Sequence, residues 1–220
     1  MGRGLLTHSI TNDNTNKIEI VKSIFDGYDF QMFGRPKARE EQLVRIMRVL
    51  VADHNPKNIQ VIVDYDCTFD HEVGNPLAFE IDAVVSPANT AGIMNGGFDA
   101  VLRNFFGTTL EYRVRMSLKE IPLSVGEARA IQTAHNKIKW LIVAPTVSIA
   151  ADGLSGHASV AYAAAYNAVI EANRVGATSL GMTGLGTGAG GLNHHEAMIQ
   201  QCDGIEDALQ DISENSFKSP

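Results

Sequence analysis

The sequence predicts an α/β fold, a three-layer α/β/α sandwich around a mixed, mainly parallel central sheet. Three observations carry this expectation. From residue 59 onward, short runs rich in Val and Ile alternate with helical patterns. Two glycine-rich loops each lie between such a run and a helix. The 220 residues are 45% apolar and 20% charged, ordinary proportions for a chain with a sizeable core.

The elements follow in order. The first 16 residues are polar, rich in Asn and Thr, and read as a frayed end. Residues 17–30 suggest one or two short strands. Residues 36–53 read as a helix, with Pro36 in its first turn and Leu43, Ile46, Met47 and Leu50 on one stripe. Asn55-Pro56 ends it. Residues 1–55 are therefore expected to form an N-terminal extension with one helix, packed on a main domain over 56–220. Within that domain QVIVDY (60–65) and IDAVVS (81–86) are expected strands. A helix over 98–106 places Phe98, Val101, Leu102 and Phe105 on one face. Arg113 and Arg115 alternate on a further strand. Strands over 127–132 and 139–144, an Ala-rich helix over 159–175, a strand over 178–183 and a helix from about His194 complete the order.

Composition excludes several classes of function. A formal charge of −7 argues against a nucleic-acid partner, which requires a basic face. The apolar run 140–145 is too short to span a bilayer, so no membrane partner is expected. The start, MGRGLLTHSI, lacks a signal-peptide core and carries Leu6 where myristoylation wants Ser or Thr. A cytoplasmic protein is expected. The two cysteines, Cys67 and Cys202, lie far apart in the chain and form no CxxC, as idle thiols would. His194-His195-Glu196 has metal-ligand composition but lacks metal-ligand spacing, because adjacent helical residues point about 100° apart. Neither a metal nor a cofactor is expected. The sequence does not define an oligomeric state.

The chemistry concentrates in the loops. Gly184-Leu185-Gly186-Thr187-Gly188-Ala189-Gly190-Gly191 joins a strand to a helix. Its bare backbone can approach a ligand closely, and successive amides there can cradle an anion. It contains GxGxxG, yet no second strand with an acidic residue follows, so a Rossmann dinucleotide site fails on topology. No Gly-Lys-Ser/Thr follows either, which excludes a P-loop. The earlier loop runs from Pro87 to Phe98 through Asn89 and Asn95-Gly96-Gly97. Asn89 can both donate to and accept from a sugar hydroxyl. Asp99 falls in the first turn of the next helix, where the helix dipole favours its charge. Alternatively, Asn89 closes a turn and Asp99 caps a helix.

Together IDAVVSPANTAGIMNGGFDAVLRNFFG, GEARAIQT, IKWLIVAPT and GLGTGAGGL, in that order over residues 59–203, resemble the macro domain family. The form GLGTGxGG resembles that of a bacterial and viral branch. The resemblance implies binding of ADP-ribose, and hydrolysis of ADP-ribose linkages at the distal ribose, as an ADP-ribosyl hydrolase or an O-acyl-ADP-ribose deacetylase. The alternative it leaves open is a non-catalytic reader or sequestering module for ADP-ribose or another NAD-derived nucleotide. The implied partner is ADP-ribose, free or attached to a protein or small molecule.

Residue by residue, the resemblance implies that Asn89 contacts the distal ribose and that Asp99 acts beside it in catalysis. Asn95, Gly96 and Gly97, with Ala88 and Phe98 around them, match the first loop. Gly186, Thr187, Gly188, Ala189, Gly190 and Gly191 match the second, phosphate-gripping loop. Asp66, next to Cys67, is the candidate acceptor for the adenine amino group. The sequence departs from the family at Ser86, where many members carry asparagine, and at Met94-Asn95, which interrupts the glycine run. Gly190 and Leu192 replace aromatic residues that often border the ribose.

Overall fold

The computed structural model describes residues 47–150, 153–155, 159–188 and 190–218. The expected polar start, the strands over 17–30, the helix as far as residue 46, and Ala189 lie outside the described residues. All that follows concerns the second of the chain's two units, Val44–Pro220.

Arg48–Asp53 is a strand, β1, where the sequence pattern was read as the end of a helix. Its side chains alternate between two buried faces. Val49 and Val51 join one core, and Leu50 and Ala52 the other. Burial on both sides erases the polar/apolar alternation that would have marked a strand. The sheet therefore starts upstream of residue 56. Asn55-Pro56, read as a stop, is a start. The Asn55 side chain accepts from the Lys57 amide at 3.1 Å, Pro56 takes the first turn, and helix α1 runs over Pro56–Asp64. QVIVDY is thus helical rather than extended.

The remaining elements are β2 (Asp70–Val73), a 3₁₀ turn at Pro76–Ala78, β3 (Ala83–Ser86), α2 (Gly97–Phe106), α3 (Thr108–Glu120), β4 (Arg129–Gln132), β5 (Trp140–Val143), the hairpin strands β6 (Ser148–Ala150) and β7 (Gly153–Ser155), α4 (Val160–Arg174), β8 (Ser179–Met182) and α5 (His194–Lys218). Arg113 and Arg115 belong to helix α3 rather than to a strand. Leu110, Val114 and Leu118 form the buried stripe of that helix.

The main sheet has the order β2-β1-β8-β3-β5-β4. Every pairing is parallel except that of β4 with β5. One core packs Val51, Val85, Ile142 and Leu180 against α1, α4 and α5. The other packs Leu50, Val84 and Leu141 against α2 and α3. This is the three-layer sandwich with a mixed, mainly parallel sheet that the sequence predicts. Helices α4 and α5 approach so closely that a Cβ at Gly204 would run into the Tyr162 carbonyl oxygen.

The parallel strands β1, β3, β5 and β8 all end at the same edge of the sheet. The chain leaves that edge through the loops that begin at His54, Pro87, Ala144 and Thr183, and through a fifth after β2, which runs parallel to β1.

Candidate active site

A cavity of about 510 Å³ opens at that edge, a volume suited to a small nucleotide. It is lined from the ends of β1, β3, β5 and β8, including Asp53 and His54 at the end of β1, Pro87 and Asn89 after β3, Thr146 and Val147 after β5, and Gly186 and Thr187 after β8. Ligands of open α/β sheets bind at this carboxyl edge.

Both glycine loops contribute. Asn95, Gly96, Gly97 and Phe98 line one part of the cavity, and Gly184, Gly186, Thr187, Gly188 and Gly190 another. Gly96 is the N-cap of α2 and offers no side chain to cap it. The first amides of the helix therefore lack an intrahelical acceptor and sit on residues that border the cavity. Among the described residues, no lysine or arginine lines the cavity. The donors that these residues offer an anion there are chiefly backbone amides.

The second loop is fixed at its root. Asp53 Oδ2 accepts from the Gly184 amide at 2.8 Å, and Asp53 Oδ1 accepts from the Asn55 amide at 2.7 Å. Gln201 of α5, fully buried, accepts from the Leu185 amide at 2.8 Å and donates to the Thr183 carbonyl at 3.0 Å. Gly186 adopts a φ of +74°, which favours glycine. Farther along, Leu192 N donates to Gly186 O at 3.2 Å. A Cβ on Gly190 would lie 2.7 Å from that same oxygen. Glycine is required there by close approach of the backbone.

Asp99 borders the cavity from the first turn of α2, and only 6% of it is exposed. The inward face of this helix is Asp99, Leu102 and Phe106, while Val101 and Phe105 are exposed. The helix is thus rotated relative to the stripe the sequence suggested, and that rotation turns Asp99 inward. Ser86 Oγ donates to Asp99 Oδ1 at 2.6 Å. Burial pushes the Asp99 carboxyl up to about 6, and the Ser86 hydrogen bond opposes the rise.

Asn89 also borders the cavity, but its amide is largely committed to its own loop. Oδ1 accepts from the Ala91 and Ile93 amides, each at 3.1 Å, and Nδ2 donates to Ile93 O at 2.8 Å. One amide hydrogen remains.

The other candidates fall elsewhere. Ala88 is buried in the core beneath the loop. Gly191 donates its amide to Gly188 O and does not line the cavity. Asp66 and Cys67 do not line it either. Because 56–64 is a helix, it carries the chain back across the sheet. Asp66 then precedes β2, which parallels β1, and so lies at the amino edge, opposite the cavity. Cys67 packs against the core that holds Cys202. His194 Nδ1 is 2.8 Å from Asn58 Oδ1. Among the described residues, no group of three His, Cys, Asp or Glu could hold a metal ion. No helix among them is long and apolar enough to cross a membrane.

Sequence reasoning missed Asp53, His54, Thr146, Val147, Ile149, Thr183 and Gln201. Asp53 had a signal, being an acid at the end of an apolar run. Gln201 had a stronger one. It is a polar side chain on the apolar stripe Ala197, Met198, Cys202 and Ile205.

Solved structures with a similar fold include the macrodomain of Mycobacterium tuberculosis DarG, with a TM-score of 0.54, 17% identity, and coverage of 62% of this chain and 88% of that one. Others are an Oceanobacillus iheyensis macrodomain with ADP (TM-score 0.53, 18% identity, covering 63% and 75%) and a Trypanosoma brucei macrodomain in complex with ADP-ribose (TM-score 0.51, 18%, covering 63% and 56%). An uncharacterized protein of Aeropyrum pernix is 31% identical over 121 residues, 55% of this chain and 61% of that protein. One of Aquifex aeolicus is 32% identical over 74 residues, 34% of this chain and 43% of that protein. The chain thus spans less than two thirds of the length of the curated relatives it matches. The family model described as Macro domain matches residues 85–200, more than half of the 220, and reaches from Ser86 to beyond the second glycine loop. The chain belongs to the macro domain family.

Proposed function

We propose that this protein binds ADP-ribose in the carboxyl-edge cavity and hydrolyses ADP-ribose linkages at C1″ of the distal ribose. The observation that carries the reading is the convergence of two glycine loops and one buried carboxyl, Asp99, on a single cavity. Amides of Gly96–Phe98 and of Gly186, Thr187, Gly188 and Gly190 hold the diphosphate. Asp53, in place of Asp66, accepts from the adenine amino group. The clamp fixes the scissile bond beside Asp99, a proximity effect worth several kcal/mol. At neutral pH a carboxyl that titrates near 6 is mostly ionised and basic enough to take a proton from water. The water oxygen bonds to C1″ as the bond from C1″ to the acceptor group breaks, and Asp99 returns the proton it took from water to the departing acceptor.

A second reading, binding without turnover, is favoured by one observation. With its amide tied to Ala91 and Ile93, Asn89 keeps little capacity to grip ribose hydroxyls. One pair of measurements separates the readings. Calorimetry should give a saturable heat with ADP-ribose. The same sample should then release ADP-ribose from a modified protein, and Asp99→Ala should not. Equal release by Asp99→Ala ends the hydrolase reading. Binding with no release by the wild type establishes the reader.

A further inference from the structure

Ser86 ends β3 and is wholly buried, and Asp99 lies in the first turn of α2, on the helix layer packed over that strand. The hydroxyl of Ser86 donates to Oδ1 of Asp99 at 2.6 Å, the length of a charge-assisted bond. This is the side-chain hydrogen bond that Asp99 makes among the described residues. We propose that Ser86 is the positioning residue for Asp99, holding Oδ1 in place so that Oδ2 is the oxygen presented to the ligand.

A carboxylate on a helix can rotate about its terminal bond, and either oxygen can then face the cavity. A donor at the end of β3, itself fixed by the parallel pairing of β3 with β5, removes that freedom. The bond also favours the charged carboxylate in a place where burial disfavours it. Among the described residues, the other titratable groups that line the cavity come from a different element. Asp53 and His54 line the cavity from the end of β1. Arg103, one turn farther along α2, pairs with Glu111 of α3 at 3.7 Å. Ser86 is thus the donor that works against desolvation. The catalytic importance of the bond rests on the hydrolase reading given above; its effect on the Asp99 carboxyl does not.

The test is direct titration of Asp99 by carbon NMR of aspartate-labelled protein, which needs no substrate. Wild-type Asp99 should titrate near 6. Ser86→Ala should raise that midpoint by roughly one to two pH units, the loss expected for a hydrogen bond to a charged group. Ser86→Cys keeps the volume with a weaker donor and should give a smaller rise, which covers failure of the alanine variant to fold. In a turnover assay the acid limb of the pH profile should move with the midpoint. An unchanged midpoint in both variants overturns the proposal, whatever the activity. A raised midpoint supports it, and if ADP-ribose then binds but is not released at any pH, only the hydrolase reading falls.

Discussion

Asp53 and Gly184, 131 positions apart, meet at 2.8 Å, with the carboxylate at the end of β1 accepting the amide that opens the second glycine loop. A Cβ on Gly184 would lie 3.0 Å from Asp53 Oδ2 and 2.8 Å from Asn58 Nδ2, so a larger residue there would push the ends of both side chains aside. Through this contact the first strand of the sheet sets where the loop after its neighbour β8 begins.

Asp53→Ala removes the acceptor for both Gly184 and Asn55. The expected loss is about 2–4 kcal/mol of stability, as two backbone donors lose a charged acceptor. ADP-ribose affinity should fall at least tenfold, by an order-of-magnitude estimate. Denaturant unfolding and calorimetry on one preparation check both.

Gly190→Ala tests close approach rather than hydrogen bonding. The new Cβ meets Gly186 O and forces the loop to open. Because the loop lies at the rim, melting should change by only about 1 kcal/mol, while ADP-ribose binding drops by about tenfold or more. Retained affinity would show that the second loop does not hold the ligand.

Asp99 makes stability depend on pH. Its carboxyl titrates near 6 in the folded protein against 3.8 ordinarily. Between those values the folded state keeps a proton the unfolded chain has lost, so stability falls as pH rises through about 4 to 6. The contribution of this group is at most about 3 kcal/mol. Asp99→Asn should match the wild type at pH 4 and exceed it by about 1–3 kcal/mol at pH 7. Thermal melts at the two pH values show whether the gap opens.

Gln201→Leu keeps the volume and deletes both bonds to the glycine loop. Leaving the Leu185 amide and the Thr183 carbonyl unpaired should cost about 2–4 kcal/mol. Amide hydrogen exchange at Leu185, slow in the wild type, should accelerate by orders of magnitude.

Much of this architecture was legible in the residues. The runs AVVS and WLIV, rich in β-branched residues and bounded by turns, are strands, and SVAYAAAYNAVIEANRV is a helix. Both glycine loops are where a strand-to-helix junction needs them. What was not legible has physical reasons. VLVA in β1 is buried on both faces and so lost its period. Asn55-Pro56 carries the chemistry of a helix start and a helix stop alike, and only the third dimension chose between them. That choice left Asp66 outside the cavity and put Asp53 in its lining. Neither could the sequence show that Asn89 spends its amide on its own loop, or that Ser86 serves Asp99, because both are matters of side-chain direction.

The central claim is that two separate sets of main-chain donors hold one diphosphate. An NMR titration of nitrogen-labelled protein with ADP-ribose tests it most directly. The amide signals of Gly96, Gly97 and Phe98 and those of Thr187, Gly188 and Gly190 should shift together, following one dissociation constant. Shifts confined to a single loop, or to residues outside the cavity while both loops stay still, would contradict the account.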